Sequence, residues 1–117
     1  MDAGMTNPNF MNGVPELVIL KLLQSREMYG YELVQAIRTQ TGDAISLGEG
    51  VVYPVLHALE REGALKSRRK AVNGRVRVYY TATVKGTKRL AGLFAQWNRI
   101  AGAIGGVTTE GPHVQAV

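Results

Sequence analysis

Apolar residues fall along this chain in four blocks with a helical period and one block with a period of two. Leu17, Val18, Ile19, Leu20, Leu22 and Leu23 cover nearly the whole circumference of a short helix that begins at Pro15-Glu16. Proline suits a first helical turn and the acid complements the helix dipole there. A short helix that is apolar all round is a buried one. A second helix is expected from about Tyr29 to Thr41, with Leu33, Val34 and Ile37 inward and Gly42 as its stop. Ser46-Leu47-Gly48-Glu49 has capping-box spacing and predicts the start of a third helix. Its inner stripe is Val52, Val55, Leu56 and Leu59, its outward positions are Gly50, Tyr53, His57 and Arg61, and Gly63 ends it. Pro54 removes one backbone hydrogen bond inside this helix and should kink it. From Leu65 to Ala82 the period becomes two around Asn73-Gly74, the dipeptide of a two-residue hairpin turn. A last helix, from about Val84 to Ile104, would be about 30 Å long at ~1.5 Å per residue. It repeats Leu90, Leu93, Phe94, Trp97, Ile100, Ala101 and Ile104 along one side.

The hairpin carries the first hint of chemistry. Pairing Val72 with Arg75 across the turn sets Lys70 opposite Arg77, Arg68 opposite Tyr79 and Lys66 opposite Thr81. One face then holds Lys66, Arg68, Lys70, Arg75 and Arg77. The other holds Leu65, Ala71, Val76, Val78 and Tyr80, with Arg69 as the exception near the tip. Like charges directly opposite one another destabilise a sheet. Charge that protects an edge strand from other chains accounts for one or two lysines. It does not account for five cations on one face with no acid among them, so the ribbon is expected to meet a polyanion.

Charge along the chain strengthens this expectation. The net charge of the 117 residues is +5, but residues 1–62 hold four basic and eight acidic residues, a net of −4. From Gly63 to Thr109 there are ten basic residues and no acid, a net of +10. So steep an asymmetry marks the second half as a footprint for nucleic acid or an anionic membrane. The length suits one domain with a modest core, and the 45% hydrophobic content is ordinary. Cysteine is absent, which excludes disulfides and thiolate metal sites. No apolar run has the length of a membrane span and the N-terminus lacks a secretory pattern, so a soluble, cytoplasmic protein is expected. Residues 1–13 and 105–117 read as flexible ends, 14–82 as one unit and 83–104 as a separate terminal helix.

Three short helices followed by a two-stranded hairpin is the order of a winged helix-turn-helix, a mainly α fold with a small β-hairpin. In that arrangement helix two crosses the DNA backbone, helix three enters the major groove, and the hairpin reaches adjacent phosphates. Phosphates set against the wing would relieve its self-repulsion and release counterions from the DNA.

Three stretches then resemble the successive signatures of PadR-family transcriptional regulators: "MYGYELVQAI" (Met28 to Ile37), "LGEGVVYPVLHALEREGAL" (Leu47 to Leu65) and "NGRVRVYYTAT" (Asn73 to Thr83). The resemblance covers about residues 14 to 104, and the length is similar to that of the short branch with a single C-terminal helix. It implies a homodimeric winged-helix repressor that binds a palindromic operator in double-stranded DNA and is released by a small molecule. By position, Tyr53 resembles the family's tyrosine near the start of the recognition helix, a phosphate contact, and Arg75, Arg77, Tyr79 and Tyr80 match its basic-aromatic wing. Tyr29 departs from the histidine of many members. Val51 and Val52 make the front of the recognition helix unusually apolar, which suits contacts to thymine methyl groups. The expected interface therefore uses Tyr31 on helix two and Gly50, Val51, Tyr53, Pro54, His57 and Arg61 on helix three. On the wing it uses Lys66, Arg68, Lys70, Asn73, Gly74, Arg75, Arg77 and Tyr79.

The stripe on the last helix is longer than a three-helix unit can cover, so docking on its own domain competes with pairing to a second copy. "LFAQWNRIAGAI" (Leu93 to Ile104) is similar to the terminal helix of the family's multidrug-binding members. There a tryptophan from each subunit lines a central pore for flat aromatic compounds. The resemblance implies an effector site at Leu93, Trp97 and Ile100, with Val18 from across the dimer. Core packing is the alternative role for Trp97. Enzymatic function is not expected. His57 and Glu60 make no nucleophile-base or metal constellation, His57 being a groove-facing or capping residue, and Gly48-Glu49-Gly50 lacks phosphate-loop spacing. No cofactor is expected. A membrane-surface protein would set its cations opposite an apolar helix face. A ligand-independent DNA- or RNA-binding protein is the remaining alternative, and a preference for palindromic duplex DNA separates a DNA binder from an RNA binder.

Overall fold

The first and most apolar helix is the hub of the molecule. In the computed structural model, which describes residues 13–109, this is α1 (Val14–Ser25). It is followed by β1 (Met28–Tyr29), α2 (Gly30–Gln40), α3 (Glu49–Arg61), β2 (Leu65–Val72), β3 (Arg75–Ala82) and α4 (Val84–Thr108). Ile19, Leu20 and Leu23 of α1 are completely buried, with Leu33 and Ile37 of α2 and Val52, Leu56 and Leu59 of α3 around them. Leu65 and Tyr80 close the core from the sheet and Leu90 from α4. The fold is mainly α with a small antiparallel sheet, as the order of elements predicts.

The hairpin register is the one that the Asn-Gly turn dictates: Val72 pairs with Arg75, Lys70 with Arg77, Arg68 with Tyr79 and Lys66 with Thr81. Asn73 and Gly74 take φ of 52° and 77°. Two successive left-handed residues give the turn the twist of its flanking strands.

Four expectations are corrected. Tyr29, read as the start of the second helix, instead forms a short strand with Met28 against Tyr79 and Tyr80, so the sheet has three strands in the order β1-β3-β2. The Ser46 capping box does not form: α3 starts at Glu49 with Gly48 as its N-cap, and Ser46 lies exposed ahead of it. α4 passes beyond Ile104 through Gly105 and Gly106 to Thr108, because each added residue closes another backbone bond once a helix is nucleated, down to Thr109 N–H on the Gly105 carbonyl at 2.9 Å. The remainder of the expected flexible ends, and His113, lie outside the described residues. Finally, the apolar face of the wing is buried only at its base. Leu65 and Tyr80 are buried, whereas Ala71 is exposed and Val76 is 64% exposed near the tip. The tip projects beyond the core, so nothing covers it.

Thr83 fixes where the wing and α4 leave the domain. Its hydroxyl donates to the Gly63 carbonyl at 2.7 Å and accepts from the Gly86 N–H at 3.0 Å, capping α4. A Cβ on Gly86 would lie 2.1 Å from the Ala64 carbonyl oxygen. The close approach of α4 to the turn between α3 and β2 therefore requires glycine there. Arg89 locks the same corner through ion pairs to Glu16 and Glu62.

Candidate nucleic-acid interface

The recognition helix is positioned at its front by an aromatic wedge. Tyr53 is half-buried, and its ring fills the space a side chain on Gly30 would need: a Cβ there would sit 2.3 Å from the ring's Cζ and hydroxyl oxygen. Glycine at the first residue of α2 thus lets α3 approach. Glu32 holds the same end by accepting the Tyr29 N–H at 3.1 Å. Burial raises the pKa of the Tyr53 hydroxyl, and the nearby Glu49 carboxylate adds to the shift. The group therefore remains a neutral hydrogen-bond donor at ordinary pH.

Gly50, Pro54, His57 and Arg61 follow one another at helical spacing on α3, and all are exposed. Val51 is 42% exposed beside them, and Tyr31 on α2 is 51% exposed. The His57 ring lies one turn beyond Tyr53, with centroids 6.2 Å apart. α3 runs on through Pro54, so the exposed Gly50 carbonyl lacks the N–H that would normally bond it and is left to water.

The cationic face of the wing differs from its sequence reading, because β1 brings partners to it. The Tyr29 ring meets Tyr79 edge-on at 5.4 Å. The Lys70 ammonium lies 4.2 Å above the Tyr79 ring centroid, and the Arg77 guanidinium lies 4.4 Å above that of Tyr29. Tyr79, expected as a DNA contact, is only 8% exposed beneath Lys70 and acts as its platform. The face also carries an acid. Glu27, between α1 and β1, accepts from Arg68 Nε at 2.9 Å, Arg68 Nη2 at 2.7 Å and Lys70 Nζ at 3.0 Å. Hydrogen bonds first from Arg68 and then from Lys70 hold its carboxyl at about 2, so it is ionised at any ordinary pH. The repulsion between Lys70 and Arg77 is therefore relieved inside the free protein, by π faces and one carboxylate, and not only when phosphate arrives. Lys66, Arg69, Arg75 and Arg77 have no carboxylate partner among the described residues. Glu27 and β1 escaped the sequence reading, since a two-residue strand has no period to detect.

A second feature lies on the other side of α1. A groove of about 480 Å³ between α1 and α4 is lined by Leu17, Val18, Leu22, Leu90, Phe94 and Trp97 among others. Val18 and Trp97 share it within one chain. Leu93 packs against the core and Ile100 is 43% exposed, and neither lines the groove. Beyond Leu90 the apolar side of α4 is bare: Phe94, Trp97, Ile100, Ile104 and Val107 are 43–85% exposed. Among the described residues no three His, Cys, Asp or Glu side chains could hold a metal ion. None of the described helices is long and apolar enough to cross a membrane.

Comparison with known proteins gives this geometry relatives. The Transcriptional regulator PadR-like family matches residues 19–92. Transcriptional regulator Rv3488 of Mycobacterium tuberculosis is 36% identical over 81 residues, covering 69% of this chain and 73% of that protein. A transcriptional regulator from Clostridium thermocellum superposes with a TM-score of 0.78 at 27% identity, over 86% of this chain and 99% of that one. A PadR family transcriptional regulator from Eggerthella lenta does so at 0.74 with 26% identity, over 86% of each chain.

Proposed function

Since the chain belongs to the PadR-like family of transcriptional regulators, which bind DNA and are not enzymes, we propose that it is a cytoplasmic repressor acting as a homodimer on a palindromic operator. In this reading residues 14–82 read DNA and α4 joins the copies. The observation that carries it is the wing: a two-stranded ribbon whose exposed Lys66, Arg69 and Arg75 and half-buried Arg77 have no carboxylate partner among the described residues. Such a ribbon suits a row of phosphates. On α3, Tyr53 donates to phosphate, while Val51 and the bare backbone of Gly50 face the base edges. An exposed valine with no lysine or arginine beside it favours apolar contact with thymine methyl groups. Selection from a pool of random duplexes tests the reading. An inverted repeat, bound far more tightly than duplex RNA of the same sequence, is the expected outcome. Enrichment of single half-sites, or equal retention of RNA, would support the rival reading of a ligand-independent nucleic-acid binder.

The groove between α1 and α4 favours an effector that is planar and largely apolar, resting on Trp97. Aromatic stacking adds about 0.5–1.5 kcal/mol per ring pair beyond area burial. Trp97 is the only tryptophan in the chain, so its fluorescence reports on this groove alone. A planar dye is expected to quench it saturably and to weaken operator binding, and the operator must then weaken the dye by the same factor. Trp97→Ala should lose dye affinity and keep most DNA affinity. Unchanged dye binding by that variant would leave Trp97 as packing alone.

A further inference from the structure

Two of the wing's six cations are already engaged in the free protein. The Glu27 carboxylate receives both forks of the Arg68 guanidinium and the Lys70 ammonium, at 2.7 to 3.0 Å. Beside it lies a cleft of about 380 Å³ lined by Glu27, Lys66, Ser67, Arg68, Tyr79 and Thr81. A guanidinium fork donates to phosphate oxygens in the same bidentate geometry as to carboxylate oxygens. The Glu27 side chain is 30% exposed and Arg68 61%, so the pair can open to an incoming group without unpacking the core.

We propose that Arg68 and Lys70 form a phosphate site on the wing that Glu27 occupies in the free protein as an internal surrogate for the DNA backbone. The inference rests on the DNA-binding reading and adds a residue to it. Glu27 limits how many phosphates the wing neutralises and so restrains sequence-independent affinity. For DNA to use Arg68 and Lys70, one anion must replace another, and the displaced carboxylate is left facing a polyanion. Both terms oppose binding on every duplex whatever its sequence. A regulator that must find few sites among many gains from such a restraint, because its operator competes with all other duplex in the cell.

The test uses the full chain, a random-sequence duplex and a series of potassium chloride concentrations. Glu27→Gln keeps the size of the side chain and removes its charge. It is expected to bind the duplex roughly tenfold more tightly at low salt, with a log–log salt slope steeper by about 0.9 for each phosphate newly neutralised. Asp43→Asn is the control for net charge. Asp43 lies on the turn after α2, paired with Arg38 at 3.5 Å, and its loss alters charge equally while freeing no wing cation. Adding Arg68→Gln to Glu27→Gln should remove most of the gain. A Glu27→Gln slope equal to the parent's overturns the proposal, as does weaker binding, which would make Glu27 a strut that holds the wing in place. An equal gain from Asp43→Asn overturns it too. A parent and variant that both fail to hold any duplex at low salt overturn the DNA-binding reading and this inference with it, whereas an unaltered slope on a parent that does bind overturns this inference alone.

Discussion

Arg75→Ala is expected to melt at the parental temperature and to bind every duplex more weakly, with a flatter salt dependence. Arg75 opens β3 directly after the Asn73-Gly74 turn, is exposed, and has no carboxylate partner among the described residues. Its removal costs the fold nothing visible. In a dimer each substitution acts twice, so the log–log slope should flatten by about 1.8 if each arginine neutralises one phosphate. At moderate salt that corresponds to a loss of roughly tenfold or more in affinity, shared by operator and random duplex. Arg77→Ala provides the contrast. Its guanidinium lies over the Tyr29 ring at 4.4 Å, and such a contact stabilises by about 0.5–1 kcal/mol at an exposed site. The Arg77 variant should therefore lose a few degrees in melting temperature along with the same share of the slope. Titration by fluorescence anisotropy and a thermal melt separate the two losses. Binding that falls for the operator alone, with an unchanged slope, would mean that these arginines read bases and that the phosphate clamp lies elsewhere.

The wing also shows what sequence patterns can and cannot convey. Its register was legible because an Asn-Gly turn admits one pairing, and with it every cross-strand neighbour from Leu65 to Ala82 follows. Core positions on α1, α2 and α3 were legible because helical period alone separates Leu33, Ile37, Val52, Leu56 and Leu59 from solvent. What escaped depends on contacts between segments remote in sequence. Glu27 meets Arg68 and Lys70 only because β1 adds to the sheet, and β1 is two residues long. The pairing of Tyr53 with the bare face of Gly30 likewise joins two helices. The Ser46 error has a different origin. A capping box is a local motif, and Ser46-Leu47-Gly48-Glu49 satisfies its spacing, yet burial of Leu47 draws the chain into the core and delays the helix to Glu49. On the interface itself, Gly50, His57 and Arg61 are exposed as their spacing requires, whereas Tyr53 turns its ring onto Gly30 and Tyr79 is covered by Tyr29 and Lys70.

Phe94→Asp combined with Ile100→Asp is expected to have the largest effect of any surface change, converting a dimer into a poorly soluble monomer. Phe94 is 54% exposed, Trp97 43%, Ile100 43%, Ile104 52% and Val107 85%. Spaced three or four residues apart, these side chains form one continuous stripe along α4, longer than any scattered surface apolar group. Its N-terminal half is anchored by Leu90 and the Arg89 ion pairs, so the helix presents the stripe on a rigid arm. A second copy of the same stripe, turned about a two-fold axis, is the simplest surface that matches it. Two carboxylates placed in that interface would face their own symmetry mates after losing water, and association should fail. The DNA consequence follows from linkage of the two reading heads. A dimer gains about 10²–10⁴ in affinity over a single head on an operator with two half-sites. The double variant should lose an effect of that size on the operator and far less on an isolated half-site. Sedimentation at micromolar concentration and operator titration measure the two together. A parent chain that sediments as a well-folded monomer, or a double variant that keeps both its dimer and its operator affinity, would place the interface away from α4.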